Sequence, residues 1–442
     1  MRSRPVASDT KTSTDRRPSA VRARIGTLSA VAPPPALRLA EVVGQRGGRA
    51  FLVGGGVRDH LLGTPCKDFD IEVFGLEMDA LGEVLSAHGR VNAVGRSFGV
   101  WKWRPPGVAP GEELDVSVPR RDSKVGPGHR GIAVEGDPTM SPEEAARRRD
   151  LTVNALMYDL ADDQVVDPHG GLDDLVDGML RAVDEDTFLE DPLRALRVVQ
   201  FAARLGFDVA DDLVELCRRA RLAELPAERI QGEWAKLLLR SPLPSVGLDV
   251  ARRTNVLDRV FPEVAHLRTD RAVDQAASVR AEIHPAGRQW AVMLLAWLSP
   301  ASTADLETTL DRLWLHTWQG YPLRRAATAA HDQQNASVHD DAALRRLSVR
   351  AEVELVLRLR QANDHDIAAP WAAAQRLGVL HAPPDRLLLG RHLKGLGIPP
   401  GRHMGELLAE VYEAQLEGAV TTLEEAMDRA RELWKRASTG PA

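Results

Sequence analysis

Cysteine is nearly missing from this chain: only Cys66 and Cys217 occur in 442 residues. Two isolated thiols build neither a disulfide framework nor a zinc pattern, so a reducing, cytoplasmic setting is expected. No apolar run approaches the ~18 residues of a membrane span, and no signal peptide stands out, so no membrane association is expected. A basic surplus is missing as well. Lys and Arg number 57 against 63 Asp and Glu, a net charge of −6. A nucleic-acid partner would therefore have to be met by local basic patches. Strand patterns are missing from about residue 244 onward, where the chain is helical and rich in Ala, Leu and Arg. Glycine is sparse there until Gly390, Gly395, Gly397, Gly401 and Gly405, which mark a loop region. What remains, 44% hydrophobic and 27% charged, is the composition of an ordinary globular protein. Its length favours about two to four domains.

The chain is organised around Phe51 to Val73, FLVGGGVRDHLLGTPCKDFDIEV. An apolar strand runs into Gly54, Gly55 and Gly56, then Val57-Arg58-Asp59 and a short helical turn. Asp68-Phe69-Asp70-Ile71 then enters a second strand. Strand side chains alternate, so Asp68 and Asp70 point the same way and make a cradle for a hard cation such as Mg2+. The glycines let backbone N–H groups approach a phosphate at a helix start, with Gly55 central. Arg58 adds a forked donor for a triphosphate. The plainer reading is a glycine turn beside a solvated acidic strand end.

Gly-Gly-x-Val-Arg-Asp followed by Asp-x-Asp resembles the head of the class II tRNA nucleotidyltransferase and bacterial poly(A) polymerase family, within the polymerase-β superfamily. Later motifs extend the likeness. Leu114-Asp115-Val116 offers Asp115 as a third metal carboxylate, with a solvent-facing strand acid as the alternative. Arg120, Arg121, Lys124 and Arg130 resemble a basic segment that would meet RNA or triphosphate; surface charge is the plain alternative. Arg148-Arg149-Asp150-Leu151-Thr152-Val153-Asn154-Ala155-Leu156 is similar to the family's second signature. The resemblance implies that Arg149 contacts triphosphate, while Asp150 and Asn154, four apart on one helix face, orient sugar or arginine. Asp167-Pro168-His169-Gly170-Gly171 reads as structural punctuation after a strand.

In Phe188 to Phe201, FLEDPLRALRVVQF, Pro192 suits a first helical turn and Leu193, Leu196 and Val199 form a buried stripe. Asp191, Arg194 and Arg197 repeat every three residues along a neighbouring face. An acceptor and a forked donor side by side can read the edges of cytosine and adenine, and in the family this pair is the nucleotide template. The alternative is an intrahelical i,i+3 ion pair. Gln200 stands where many members carry an arginine. Arg229, Glu233 and Lys236 read as a solvated face bracing neighbouring helices.

The expected class is α+β: a small mixed α/β nucleotidyltransferase head followed by an all-helical neck, body and tail. Expected boundaries are a disordered, weakly basic tail at 1–35, the head at 36–182, the neck at 183–243 and the body and tail at 244–442. The resemblance implies a template-independent enzyme that uses ATP and CTP with Mg2+. It would add CMP and AMP to the 3′ end of tRNA and release pyrophosphate; no obligate protein partner is implied. Asp68 and Asp70 would be the catalytic carboxylates. Open alternatives are a CC-adding, A-adding or poly(A)-forming enzyme, and an RNA-binding protein without catalysis. A third is a phosphohydrolase acting through His331-Asp332, His339-Asp340 and His365-Asp366, although these pairs fall in polar, poorly patterned stretches.

Overall fold

A computed structural model of the chain describes residues 17–24, 32, 34–65, 69–92, 100–108, 113–124 and 132–438. Two compact units divide it: residues 1–230 with 249–260, and residues 231–248 with 261–442.

In the first unit, helices α1 (Arg17–Arg24) and α2 (Pro34–Gln45) precede strand β1 (Arg49–Val53) and helix α3 (Gly55–Leu62). Then follow β2 (Asp70–Phe74), α4 (Met78–His88), β3 (Arg90–Asn92), β4 (Val100–Arg104) and β5 (Leu114–Ser117). The unit continues with β6 (Arg120–Lys124), β7 (Ile132–Gly136), α5 (Pro142–Arg147), β8 (Met157–Asp159) and β9 (Gln164–Val166). Helices α6 (Gly171–Asp177), α7 (Glu185–Glu190) and α8 (Leu193–Leu205) come next.

Among the described residues, seven strands make one mixed sheet in the order β3-β4-β5-β2-β1-β8-β9. β2 and β5 are parallel, with Asp70 opposite Asp115; the other pairs are antiparallel. Alternation then sorts the side chains. One face holds Ile71, Val116, Trp101 and Trp103 against α4: Trp103 Nε1 donates to the Leu85 carbonyl at 3.0 Å, and Trp101 lies over Gly82. The opposite face carries Phe51, Val53 and Phe74, buried with Met140, Ala145, Ala146 and Met157, and it also carries the acids Asp70, Glu72 and Asp115. The Phe51 and Phe74 rings meet edge to face at 5.1 Å.

Two local expectations are corrected, and one element is added. Residues 17–24, assigned to a disordered tail, form α1: Val21 is buried, and Arg24 crosses Gly63. Tertiary burial of one valine overrides a composition that looks unstructured in isolation. Residues 120–124 are a strand, paired with 132–136 in a two-stranded ribbon. Asp150 and Asn154 do not share an α-helix. α5 ends at Arg147, Leu151 is extended and bridges to Ala182, and Thr152–Asn154 form a 3-10 turn.

The second unit is helical among its described residues. Trp234, Phe261 and Trp297 pack with ring centroids 4.6 to 5.2 Å apart. Farther along, helices Arg402–Glu417 and Leu423–Ser438 bury Leu407, Val411, Ala426 and Ala430 together, and Gly418 ends the first of them in the left-handed conformation. The α+β class thus holds: a mixed-sheet head followed by helices.

Candidate active site

The glycine turn sets the floor of the site. Gly54 has φ 74°, and a Cβ there would lie 2.8 Å from Arg149 Nη1 and 4.0 Å from Asp70 Oδ2. Only glycine leaves that space open. α3 starts at once, and its Arg58 is buried. Arg58 donates to Asn154 Oδ1, and from Nε and Nη2 to Asp59 Oδ1 at 2.8 and 2.6 Å.

The turn after α5 forms one wall. Asp150 accepts from Leu151 N at 2.9 Å, Asn154 Nδ2 at 3.0 Å and Arg197 Nε at 2.6 Å. Burial opposes its ionisation, yet Arg197, the Asn154 amide and Arg194 hold its carboxyl below the usual range. Thus Asp150 and Asn154 meet as expected, but through the 3-10 turn.

The opposite wall is α8. Arg194 donates to the carbonyls of Thr187 at 2.9 Å, Arg148 at 2.5 Å and Arg149 at 3.4 Å. Burial lowers its pKa, against the charges of Asp150 and Asp191. Asp191 is not the partner of Arg194 in an ion pair. It accepts both guanidinium arms of Arg229, at 3.1 and 2.8 Å. Phe201 carries three guanidiniums around its ring: Arg58 at 5.0 Å, Arg197 at 5.2 Å and Arg204 at 5.6 Å. Gln200 is buried and accepts from Arg204 at 3.2 Å.

These groups line one cleft of about 410 Å³. It gathers Gly55, Arg58, Asp70, Arg149, Asp150, Asn154, Asp191, Arg194 and Arg197, all expected from the sequence. Asp115 lies beside it on β5, bound by Lys102 at 3.0 Å. Asp68 and Arg130 lie outside the described residues, as do the side-chain surroundings of Lys124. Arg120 and Arg121 are on the ribbon, not in the cleft lining, and Arg121 pairs with Asp137 at 2.6 Å.

Sequence reasoning missed Arg148, Phe201 and Arg204 as lining residues, and it placed Arg229 on a solvated face. Arg229 instead faces the cleft, brought there by the fold from 38 residues beyond Asp191. Glu233 also departs from a solvated face: it is buried and takes Lys236 at 2.7 Å. The cleft counts seven arginines against three aspartates, so it is cationic in a chain of net charge −6.

The His-Asp pairs lie in the second unit. His331 is buried in helix Leu323–Asp332, not in a polar stretch as expected. His339, Asp340, His365 and Asp366 border a separate cavity, where Asp340 and Asp366 accept the backbone N–H groups of Ala343 and Ala368. Among the described residues, no three His, Cys, Asp or Glu side chains are grouped to hold a metal, and no helix is long and apolar enough to cross a membrane.

A mixed sheet with paired acids, a glycine turn and an arginine-lined cleft defines a nucleotidyltransferase head. The Poly A polymerase head domain family matches residues 50–181, and the family described as the probable RNA and SrmB-binding site of polymerase A matches residues 206–267. A multifunctional CCA protein of Xylella fastidiosa is 34% identical over 305 residues, 65% of this chain and 68% of that protein. The Haemophilus ducreyi multifunctional CCA protein is 37% identical over 268 residues, 55% of this chain and 62% of that one. The chain spans about half to two thirds of the length of such curated relatives. In fold, the Bacillus stearothermophilus CCA-adding enzyme in complex with CTP aligns at TM-score 0.70 and 23% identity, covering 91% of this chain and all of that one. The Thermotoga maritima CCA-adding enzyme complexed with tRNA aligns at 0.64 and 19%, covering 93% and 98%. The chain belongs to the bacterial poly(A) polymerase and tRNA nucleotidyltransferase family.

Proposed function

We propose that this protein is a template-independent RNA nucleotidyltransferase that adds CMP and AMP, from CTP and ATP, to the 3′ end of tRNA. The observation that carries the reading is the convergence of Asp70, Asp191 and seven arginines, Arg194 among them, on one cleft. The primer's 3′-hydroxyl oxygen attacks the α-phosphorus, the bond to the β-phosphate bridge oxygen breaks, pyrophosphate leaves, and the hydroxyl proton passes to solvent. Arg58 and Arg149 hold the phosphates, and Asn154, itself held through Asp150 and Arg197, keeps Arg58 aimed. Asp191 and Arg194 present an acceptor and a donor to the base edge. Arg120 and Arg121 on the ribbon would meet RNA phosphate.

The residues fit a divalent cation. Asp70 and Asp115 stand opposite each other in parallel register on one sheet face, both hard oxygen donors, and Gly54 leaves the space before Asp70 open. Asp68 and Asp70 would hold Mg2+, with Asp115 beside them, and the ion would supply positive charge to the hydroxyl and to the departing pyrophosphate.

The test is incorporation of labelled CMP into a tRNA transcript lacking its CCA end, by the wild type and Asp70→Ala. Loss of a charge-stabilising group from the reacting centre lowers turnover by about 100-fold or more. A folded Asp70→Ala protein with near-normal turnover overturns the assignment.

A further inference from the structure

Asp70 is followed, two residues on and on the same sheet face, by a second acid. Glu72 is 1% exposed, set between the open site at Asp70 and the Phe51–Phe74 core. An apolar side chain would suit that position, and a buried carboxylate is costly unless cations hold it. Two do. Glu72 Oε1 takes Arg148 Nη2 in a short ion pair, and Oε2 lies 3.9 Å from Arg149 Nη2. Oε2 itself has no hydrogen-bond partner, nor does the buried Arg148 Nε. Burial works against the charge of Arg149, and Glu72 is foremost among the groups that restore it. The far arm of Arg149 rests on the Gly54 turn, beside Asp70.

We infer that Glu72 is a positioning residue for the triphosphate: it fastens Arg148 and Arg149 to β2 so that Arg149 faces the space over Gly54 where the nucleotide's phosphates lie. The inference rests on the nucleotidyl-transfer reading above. A guanidinium is a fixed planar fork, so with one arm drawn by charge to 3.9 Å from Glu72 the other stays aimed at phosphate. Because Glu72 acts on phosphates and not on the base, its loss weakens every nucleotide alike. That separates it from Asp191 and Arg194, whose loss changes the ratio between nucleotides.

Glu72→Gln removes the charge at constant size; Glu72→Asp keeps the charge but withdraws it by one methylene. Binding of inorganic tripolyphosphate and of CTP is measured by calorimetry in EDTA. KM and kcat for CTP and ATP are measured below each variant's melting temperature. In Glu72→Gln both affinities should weaken by about tenfold or more, KM should rise by a similar factor for both nucleotides, and kcat should change less than about threefold. Glu72→Asp should fall between. A lower melting temperature with unchanged tripolyphosphate affinity and unchanged KM overturns the inference and leaves Glu72 a purely structural group. If Glu72→Gln does not fold, Glu72→Asp and Arg148→Lys decide by the same readouts, because both retain the charge. A wild type that binds tripolyphosphate in a Glu72-dependent way but incorporates no nucleotide overturns the nucleotidyl-transfer reading and not this one.

Discussion

Arg194 has a structural task, and the proposed function gives it a second one. Its guanidinium holds three carbonyl oxygens, two of them in the turn that carries Arg149, while its position beside Asp191 suits base reading. Arg194→Ala should therefore lower the melting temperature and also raise UTP and GTP incorporation relative to CTP and ATP. Arg229→Ala separates these effects. Its pair with Asp191 is partly exposed, about 29% on each side, so its contribution to stability is about 0.2–1 kcal/mol. Yet Asp191 loses the fork that orients it, and discrimination should fall by about tenfold or more. All four nucleotides on one primer, with melting curves for both variants, check this. Unchanged ratios in both would return Asp191 and Arg194 to a structural role. Gln200 fits the same pattern: it is buried and holds Arg204, so a glutamine at this position still supports an arginine in the cleft.

At the scale of the element, the start of α7 carries a pH signature. Asp184 caps the helix, and its carboxyl is pulled down to about 2, first by the Thr187 backbone N–H, then by the Thr187 hydroxyl and Arg147, against the opposing effect of burial. A depressed carboxyl contributes stability above its unfolded pKa of about 4 and loses it as the pH falls towards about 2. The gap in melting temperature between wild type and Asp184→Ala should be full at pH 5 and above and close between about pH 4 and 2. A gap that stays constant down to pH 2 would contradict the cap's ionisation. α5 begins with a reciprocal cap, Ser141 with Glu144. Ser141→Ala should cost about 1 kcal/mol in denaturant unfolding, and because this helix leads into the Arg148–Asp150 turn, nucleotide affinity should fall with it. An unfolding midpoint within error of wild type would show that the cap is not needed.

These elements also show what a sequence can and cannot reveal. An apolar run placed β1, alternating acids placed β2, Leu114-Asp115-Val116 placed β5, and the Gly-Gly-x-Val-Arg-Asp spacing placed Arg58 behind the turn, because these are local rules. The Arg149–Asp150–Asn154 grouping was legible as residues but not as geometry. Leu151 is drawn into an extended bridge with Ala182, 31 residues away, and that tertiary pairing overrides helical spacing. Arg229 was visible but misplaced, since only folding brings it to Asp191. Glu72 continues the alternating acids of Asp68 and Asp70, a signal available in the chain, but its meaning depends on Arg148 arriving from 76 residues away.

For the whole molecule, net charge misleads and local charge governs. With seven arginines in the cleft against three aspartates, tRNA affinity should fall steeply with salt despite the overall −6. Each phosphate contact adds roughly 0.7 to 0.9 to the log–log slope. A flat response would remove the arginine cleft and the ribbon from the RNA footprint. The central claim, ordered addition of CMP and AMP by this one cleft, is tested most directly by a primer series. Three tRNA transcripts are used: one lacking the whole CCA end, one lacking its last two nucleotides and one lacking only the terminal A. Each is offered one labelled nucleotide at a time. The account predicts CMP on the first two, AMP on the third, a single addition at that last position, and negligible UMP or GMP throughout. No incorporation on any transcript, or long runs of AMP on all three, would contradict it.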